Sequence, residues 1–295
     1  MTAPALTDFF GLEGGPEWRL QVTEEICNAG GTLWGGVGLG AAMEAIERET
    51  GRSTVWAAVQ YIRPIHPGAR LDLTVDVVRA GRQLTQAQVS GLSGGELAFS
   101  CLASLGPRAR TPGEQPEGAS SEPWRHGLQF VRIPDDVSVP DQCPLRKIPL
   151  EMGTRRKLPD YFEQRWASPP RSTPFDGTPG VGRTRLWLRF EQPIRPEERT
   201  GAALAVLADL APSAIAEAVG LIAGGVSLDN TIRIARQWID SGGEGTDGGW
   251  ILLDVTVESV IGDVAQLSAR VFDPAGRLLA VAGQSAILRR FPRAE

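Results

Sequence analysis

LAVLADLAPSAIAEAVGLIAGGVSLDNTIRI, residues Leu204–Ile234, changes its periodicity halfway along. Leu204–Val219 is apolar and alanine-rich, a pattern that predicts a buried helix. Between Arg199 and Glu217 its only charged side chain is Asp209. A lone carboxylate in such surroundings needs hydrogen-bond partners or a shifted pKa, because burying an unpaired charge is costly. Gly224-Gly225 breaks the helical pattern, and Val226–Ile239 reads as a strand. Two readings of Asp209 stand side by side. It precedes Pro212 by three residues and Ser213 by four, so it could cap or begin a helix. It could equally be the acidic member of a site.

Outward from this stretch, both flanks show the same order of elements. Upstream, Trp18–Cys27 alternates as a strand. The glycine-rich Asn28–Gly40 leads into a helix ending at Gly51. The segments Thr54–Arg63, Arg70–Arg79, Gln83–Leu92 and Leu97–Leu105 then alternate as four strands. In the second half, Tyr161–Trp166 and Gly182–Phe190 precede the helix. The Val226–Ile239 strand follows it, then a meander over Trp250–Val260, Ala265–Phe272 and Arg277–Arg289. Pro107–Arg156 carries eight prolines and reads as an extended connection with one short strand at Leu128–Ile133. Strand, helix, then antiparallel meander predicts an α+β arrangement, a helix lying on one face of a curved sheet.

The two halves superpose as an internal repeat. Leu71–Asp76 lies over Leu253–Glu258, Gly81 over Gly262, Gly95–Leu97 over Gly276–Leu278, and Met43–Ala45 over Ala216–Ala218. What differs is informative. Asp209 falls over Gly36, Ser227 over Thr54 and Gln284 over Ala103, so the second half holds polar groups where the first has mostly small ones. Gln284 lies on one strand face with Ala280, Ala282, Ala286 and Leu288, and a glutamine there needs partners. Either a neighbouring backbone group or a site supplies them.

Composition narrows the function. A net charge of −5 gives no footprint for nucleic acid. There is no run of eighteen apolar residues, so no membrane span is expected, and MTAPALTDFF lacks the basic and apolar regions of a signal peptide. Cys27, Cys101 and Cys143 are widely spaced with no CxxC, as suits a reduced, cytoplasmic protein. With only His66 and His126, no zinc spacing exists, and neither histidine sits in a nucleophile motif. Gly35–Gly40 is not followed by the Lys-Ser/Thr of a phosphate loop.

The motifs GGTLWGGVGLGAAMEAI and VQYIRPIHPG in the first half, with LADLAPSA, SLDNTI and VAGQSAILR in the second, resemble the double-hotdog acyl-CoA thioesterases, the acyl-CoA thioesterase II-like family. The likeness runs from about Trp18 to Phe291, with the connection poorly matched. It implies a tandem hotdog: an N-terminal unit over residues 1–106, a Pro-rich connection over 107–157 and a C-terminal unit over 158–295 carrying the catalytic residues. The family's Asp, Ser/Thr and Gln carry over onto Asp209, Ser227 and Gln284. Where the family commonly has an Asp-His pair, this chain has Asp229-Asn230.

The implied chemistry is hydrolysis of an acyl-CoA by water held between Asp209, Ser227 and Gln284, with no metal or other cofactor and no covalent intermediate. Helix-start N–H groups at Gly35 and Gly36 are candidates for binding the thioester oxygen; close helix–sheet packing is the alternative use of these glycines. Strict alternation sets Ser227 with Asp229, Thr231 and Arg233 on a polar face. Ser227 reaches a site only if the strand bends near Gly224-Gly225 or Ser227 lies at its very start, so Asp229 is the reserve carboxylate and substrate contact. The expected partners are an acyl-CoA and further copies of the chain, as a dimer or larger homo-oligomer. The alternatives are a non-catalytic acyl-CoA-binding hotdog protein and an enoyl-CoA hydratase, which would want an Asp-His pair.

Overall fold

A computed structural model describes residues 13, 17–106, 128–146, 156–170, 172, 175–192, 194–195, 198–236, 238 and 248–290. The first half comprises β1 (Glu17–Gln21), α1 (Gly35–Thr50), β2 (Thr54–Tyr61), β3 (Arg70–Ala80), β4 (Thr85–Ser93) and β5 (Glu96–Leu105). The second comprises β6 (Phe162–Trp166), β7 (Arg183–Phe190), α2 (Gly201–Ala208), α3 (Ala214–Val219), β8 (Ala223–Ser227), β9 (Asp229–Ile234), β10 (Ile251–Ile261), β11 (Val264–Phe272) and β12 (Leu278–Arg290).

All twelve strands form one antiparallel sheet. Its order is β1-β3-β4-β5-β2-β9-β12-β11-β10-β7-β6, with β8 beside β12. Outward from the central β2–β9 pair, the sheet runs β2, β5, β4, β3, β1 on one side and β9, β12, β11, β10, β7 on the other, with β6 added at that end. The repeat is therefore structural, and the fold is the expected α+β double hotdog. Central pairing sets Val59 opposite Asn230 and Gln60 opposite Asp229.

The sheet wraps the helices. Buried α1 residues (Val37, Leu39, Met43, Ile46) share one core with Leu204, Val206 and Leu207 of α2 and with the inward strand residues Leu71, Val89, Ile232 and Leu253. Both helical segments end in a left-handed glycine, Gly51 and Gly220.

Two predicted elements differ here, and a third, the Val226–Ile239 strand, is interrupted at Leu228. Leu204–Val219 is not one helix: α2 stops at Ala208, a 3-10 turn covers Ala211–Ser213, and α3 follows. Pro212 has no N–H to donate, and its ring would clash with the carbonyl four residues earlier, that of Ala208. Leu128–Ile133 forms no strand. Instead, the Gln129 side chain substitutes for a strand neighbour. Its Nε2 donates to the Gly276 carbonyl at 2.7 Å, and its Oε1 accepts from the Leu278 N–H at 2.7 Å. The connection thereby covers a second apolar cluster of Trp187, Trp250, Leu252 and Phe272. The apolar segment Gly201–Val219 is long enough to cross a membrane by length and composition, but it is mostly buried in this core.

Candidate active site

Asp209 is neither the start nor the N-cap of a helix; it is the C-cap of α2. The break that Pro212 forces puts it where the two halves meet. One carboxylate oxygen, Oδ2, accepts the Gly36 N–H at 2.7 Å. The other, Oδ1, accepts from Gln284 Nε2 at 2.5 Å, from Asn230 Nδ2 at 3.1 Å and, more loosely, from Ser227 Oγ at 3.5 Å. So the three residues singled out in the second half converge, and the first half contributes the donor on the opposite side.

The electrostatics are opposed. Burial drives the Asp209 pKa up, while the Gly36 N–H and the Gln284, Ser227 and Asn230 side chains pull it down; it comes to rest at about 7. The start of α1, with its positive dipole end, faces the carboxylate and favours its charged form.

Gly36 permits this approach. A Cβ there would stand 2.5 Å from the Ala205 carbonyl oxygen and 2.8 Å from both the Val206 Cα and the Asp209 Cβ. The close-packing reading of the glycine is thus met at this residue. The Gly36 N–H faces Asp209 and is engaged by its carboxylate. The Gly35 N–H is bonded to no described residue.

The polar strand face resolves differently from expectation. The bend is not at Gly224-Gly225. Ser227 ends β8, Leu228 interrupts the strand, and β9 begins at Asp229. The interruption shifts the alternation, so Ser227 and Asn230, three apart, both reach Asp209. Gln284 sits where β12 passes from pairing with β9, at Ala280–Gly283, to pairing with β8, at Ala286–Arg290. Its Nε2 must face Asp209, since a carboxylate only accepts. Its buried Oε1 has no partner among the described residues.

Asp229 lies apart from this cluster. Its Oδ1 accepts the Ser285 N–H at 2.8 Å and its Oδ2 the Ser285 hydroxyl at 2.9 Å. As the strand neighbour of Asn230 it takes the other face and ties β9 to β12; among the described residues it makes no hydrogen bond to Asp209, Ser227 or Gln284.

Sequence reasoning missed two residues. Asn230 is 2 % exposed and bonds Asp209 at the position where the resembled family commonly has histidine. An asparagine alternating with buried Ile232 was the available signal. Tyr61, at the end of β2, donates its hydroxyl to the Gly35 carbonyl at 2.7 Å; nothing in its local sequence marks it. His66 is exposed and lies against the Gly31 carbonyl, away from the site, and His126 falls outside the described residues. A groove of about 500 Å³ lies elsewhere, between the connection and the β11–β12 turn, lined by Arg132, Trp187 and Pro274. It contains none of the site residues.

Comparison with known proteins agrees with this architecture. Residues 23–106 match the family model "Acyl-CoA thioesterase N-terminal domain", and residues 140–288 match "Acyl-CoA thioesterase C-terminal domain". A Novosphingobium aromaticivorans protein provisionally described as a thioesterase is 31% identical over 92% of this chain and 95% of its own, with a TM-score of 0.74. An Alicyclobacillus acidocaldarius hot dog protein of unknown function is 18% identical over 99% of this chain and 100% of its own, at a TM-score of 0.77. An acyl-CoA thioesterase II from Mycobacterium marinum is 18% identical over 97% and 99%, at a TM-score of 0.64; at that identity the likeness concerns the fold. No curated protein matches the sequence.

Proposed function

This chain belongs to the acyl-CoA thioesterase family, and we propose on that footing that it hydrolyses an acyl-CoA to the free acid and CoA by direct attack of water. The observation that carries the reading is the meeting of Asp209, Ser227 and Gln284 at one carboxylate oxygen. Three side chains spread over 76 residues of sequence share that point, and one of them keeps an unpartnered acceptor. A buried acceptor left without a donor is unfavourable by about 1–3 kcal/mol. A water that donates to Gln284 Oε1 removes that penalty and stands beside the base.

Asp209 is the general base. It takes a proton from the water as the water oxygen bonds to the thioester carbon. The tetrahedral intermediate then expels the CoA sulfur, the C–S bond breaks, and the proton on Asp209 returns to the thiolate. A base with a pKa of about 7 suits this exchange at neutral pH. Ser227 orients the water. Asn230 and the Gly36 N–H hold the carboxylate, which leaves the Gly35 N–H, at the positive end of α1, as our candidate donor for the thioester oxygen. The reading includes a homo-oligomeric assembly, as expected from the sequence.

The test is release of free thiol from acyl-CoAs of graded chain length, with Asp209→Asn alongside. We expect turnover by the wild type and a loss of roughly 10²–10⁴-fold in the variant. A folded wild type that turns over none of them, yet binds acyl-CoA, would move the assignment to a binding protein.

A further inference from the structure

The Gly35–Gly36 peptide is held at both ends. Its carbonyl oxygen accepts the Tyr61 hydroxyl at 2.7 Å, and its N–H donates to Asp209 Oδ2 at 2.7 Å. A peptide unit is planar and trans, so its C=O and N–H point in opposite directions and turn together. Fixing one fixes the other. This unit is flanked by two residues without a Cβ, and glycine offers little resistance to a flip of the peptide plane. As the first residue of α1, Gly35 also turns its carbonyl along the helix toward the N–H four residues on, so the Tyr61 hydroxyl is a second hold on this peptide at a glycine-rich helix end.

We propose that Tyr61 is a positioning residue of the active site: by clamping the Gly35 carbonyl it aims the Gly36 N–H at Asp209 and so holds the base in its charged, oriented form. The inference rests on the reading of Asp209 as the base. It makes the first half a participant in setting the second half's carboxylate, through a hydroxyl that touches neither the water nor the thioester.

Three further observations support it. A Cβ placed on Gly35 would lie 2.9 Å from the Tyr61 hydroxyl and 3.1 Å from Asp209 Oδ2, so phenol and carboxylate flank the same backbone point. The Asn230 amide acts on both groups. Burial and the neighbouring Asp209, Cys101 and Asp229 keep the phenol protonated, well above its ordinary pKa, so it remains a donor across the working range. The groups acting on Asp209 itself are uncharged: Gly36, Gln284, Ser227 and Asn230.

The experiment is Tyr61→Phe, which removes only the oxygen. Carboxyl ¹³C-labelled aspartate is titrated by NMR in the wild type and the variant, with the Asp209 signal identified by its loss in Asp209→Asn. Losing the aimed N–H raises the Asp209 pKa by roughly one unit. In the thiol-release assay the acid limb of kcat/KM rises by the same amount, while KM changes less than kcat. An unmoved Asp209 titration in a folded Tyr61→Phe protein overturns the proposal, whatever happens to turnover. If Asp209→Asn keeps full activity, the base assignment fails separately, and the NMR comparison still decides whether Tyr61 governs the carboxylate. Reduced kcat with an unmoved limb marks Tyr61 as packing only, and likewise overturns the proposal.

Discussion

Asp209 is held at about 7 because the effect of its burial outweighs that of its hydrogen bonds. Two predictions belong to this residue. First, kcat/KM rises with pH up to about 7 and then levels, because the free enzyme's base must lose its proton; a pH–rate profile measures it. Second, the same shift shapes stability. The folded pKa lies above the ordinary 3.8, so the folded state binds the proton more tightly than the unfolded chain does. This group's contribution is fully present below pH 3.8 and is lost as pH rises to about 7. Asp209→Asn should flatten the pH dependence of the urea midpoint across that window. Glu44, also raised to about 7 by burial, titrates in both proteins, so the difference between the curves isolates Asp209. Asn230→Ala should lower kcat about tenfold and move the acid limb upward, since one amide donor to the carboxylate is removed. A limb that moves downward would contradict this role.

At the scale of elements, the site depends on two interruptions. Pro212 ends α2 at the residue that must leave the helix, and Leu228 splits one predicted strand into β8 and β9 so that Ser227 and Asn230 face the same carboxylate. The contact between α1 and α2 is equally specific. Gly36→Ala places a methyl against the Ala205 carbonyl and the Val206 Cα, backbone atoms that cannot step aside. We expect a loss of roughly 1–3 kcal/mol in stability and more than tenfold in activity as the helices separate. Gly35→Ala meets the Tyr61 hydroxyl and the Asp209 carboxylate instead, side chains able to shift, and should be less destabilising. Paired urea unfolding and thiol-release measurements on the two variants check the ordering.

The whole molecule joins its halves through the β2–β9 ladder, the packing of α1 on α2, and side chains that cross between them. Trp34 is one. Its indole N–H donates to the Val206 carbonyl at 3.0 Å, and its ring meets Phe162 edge-on at 6.4 Å. Val206 lies near the end of α2, where carbonyls have no partner within the helix, so the first half caps the second half's helix. Trp34→Phe should destabilise the protein by roughly 1–3 kcal/mol, read by urea unfolding, because a buried carbonyl loses its donor.

The sequence by itself determined the α+β class and the repeated order of elements, and with the family resemblance it singled out Asp209, Ser227 and Gln284 as candidates. Periodicity, glycine stops and a lone carboxylate in an apolar run are local properties, written along the chain. Only the tertiary structure decided that Asp209 caps α2, that Asn230 donates to its carboxylate, and that Gly36 reaches it from the other half, with Tyr61 on the carbonyl of the same peptide. Strand alternation assigns faces correctly until a strand is interrupted, and one residue such as Leu228 reverses every assignment beyond it. Contacts between residues 173 apart, such as Gly36 with Asp209, depend on how two helices cross at the centre of the sheet, and no local pattern encodes that distance.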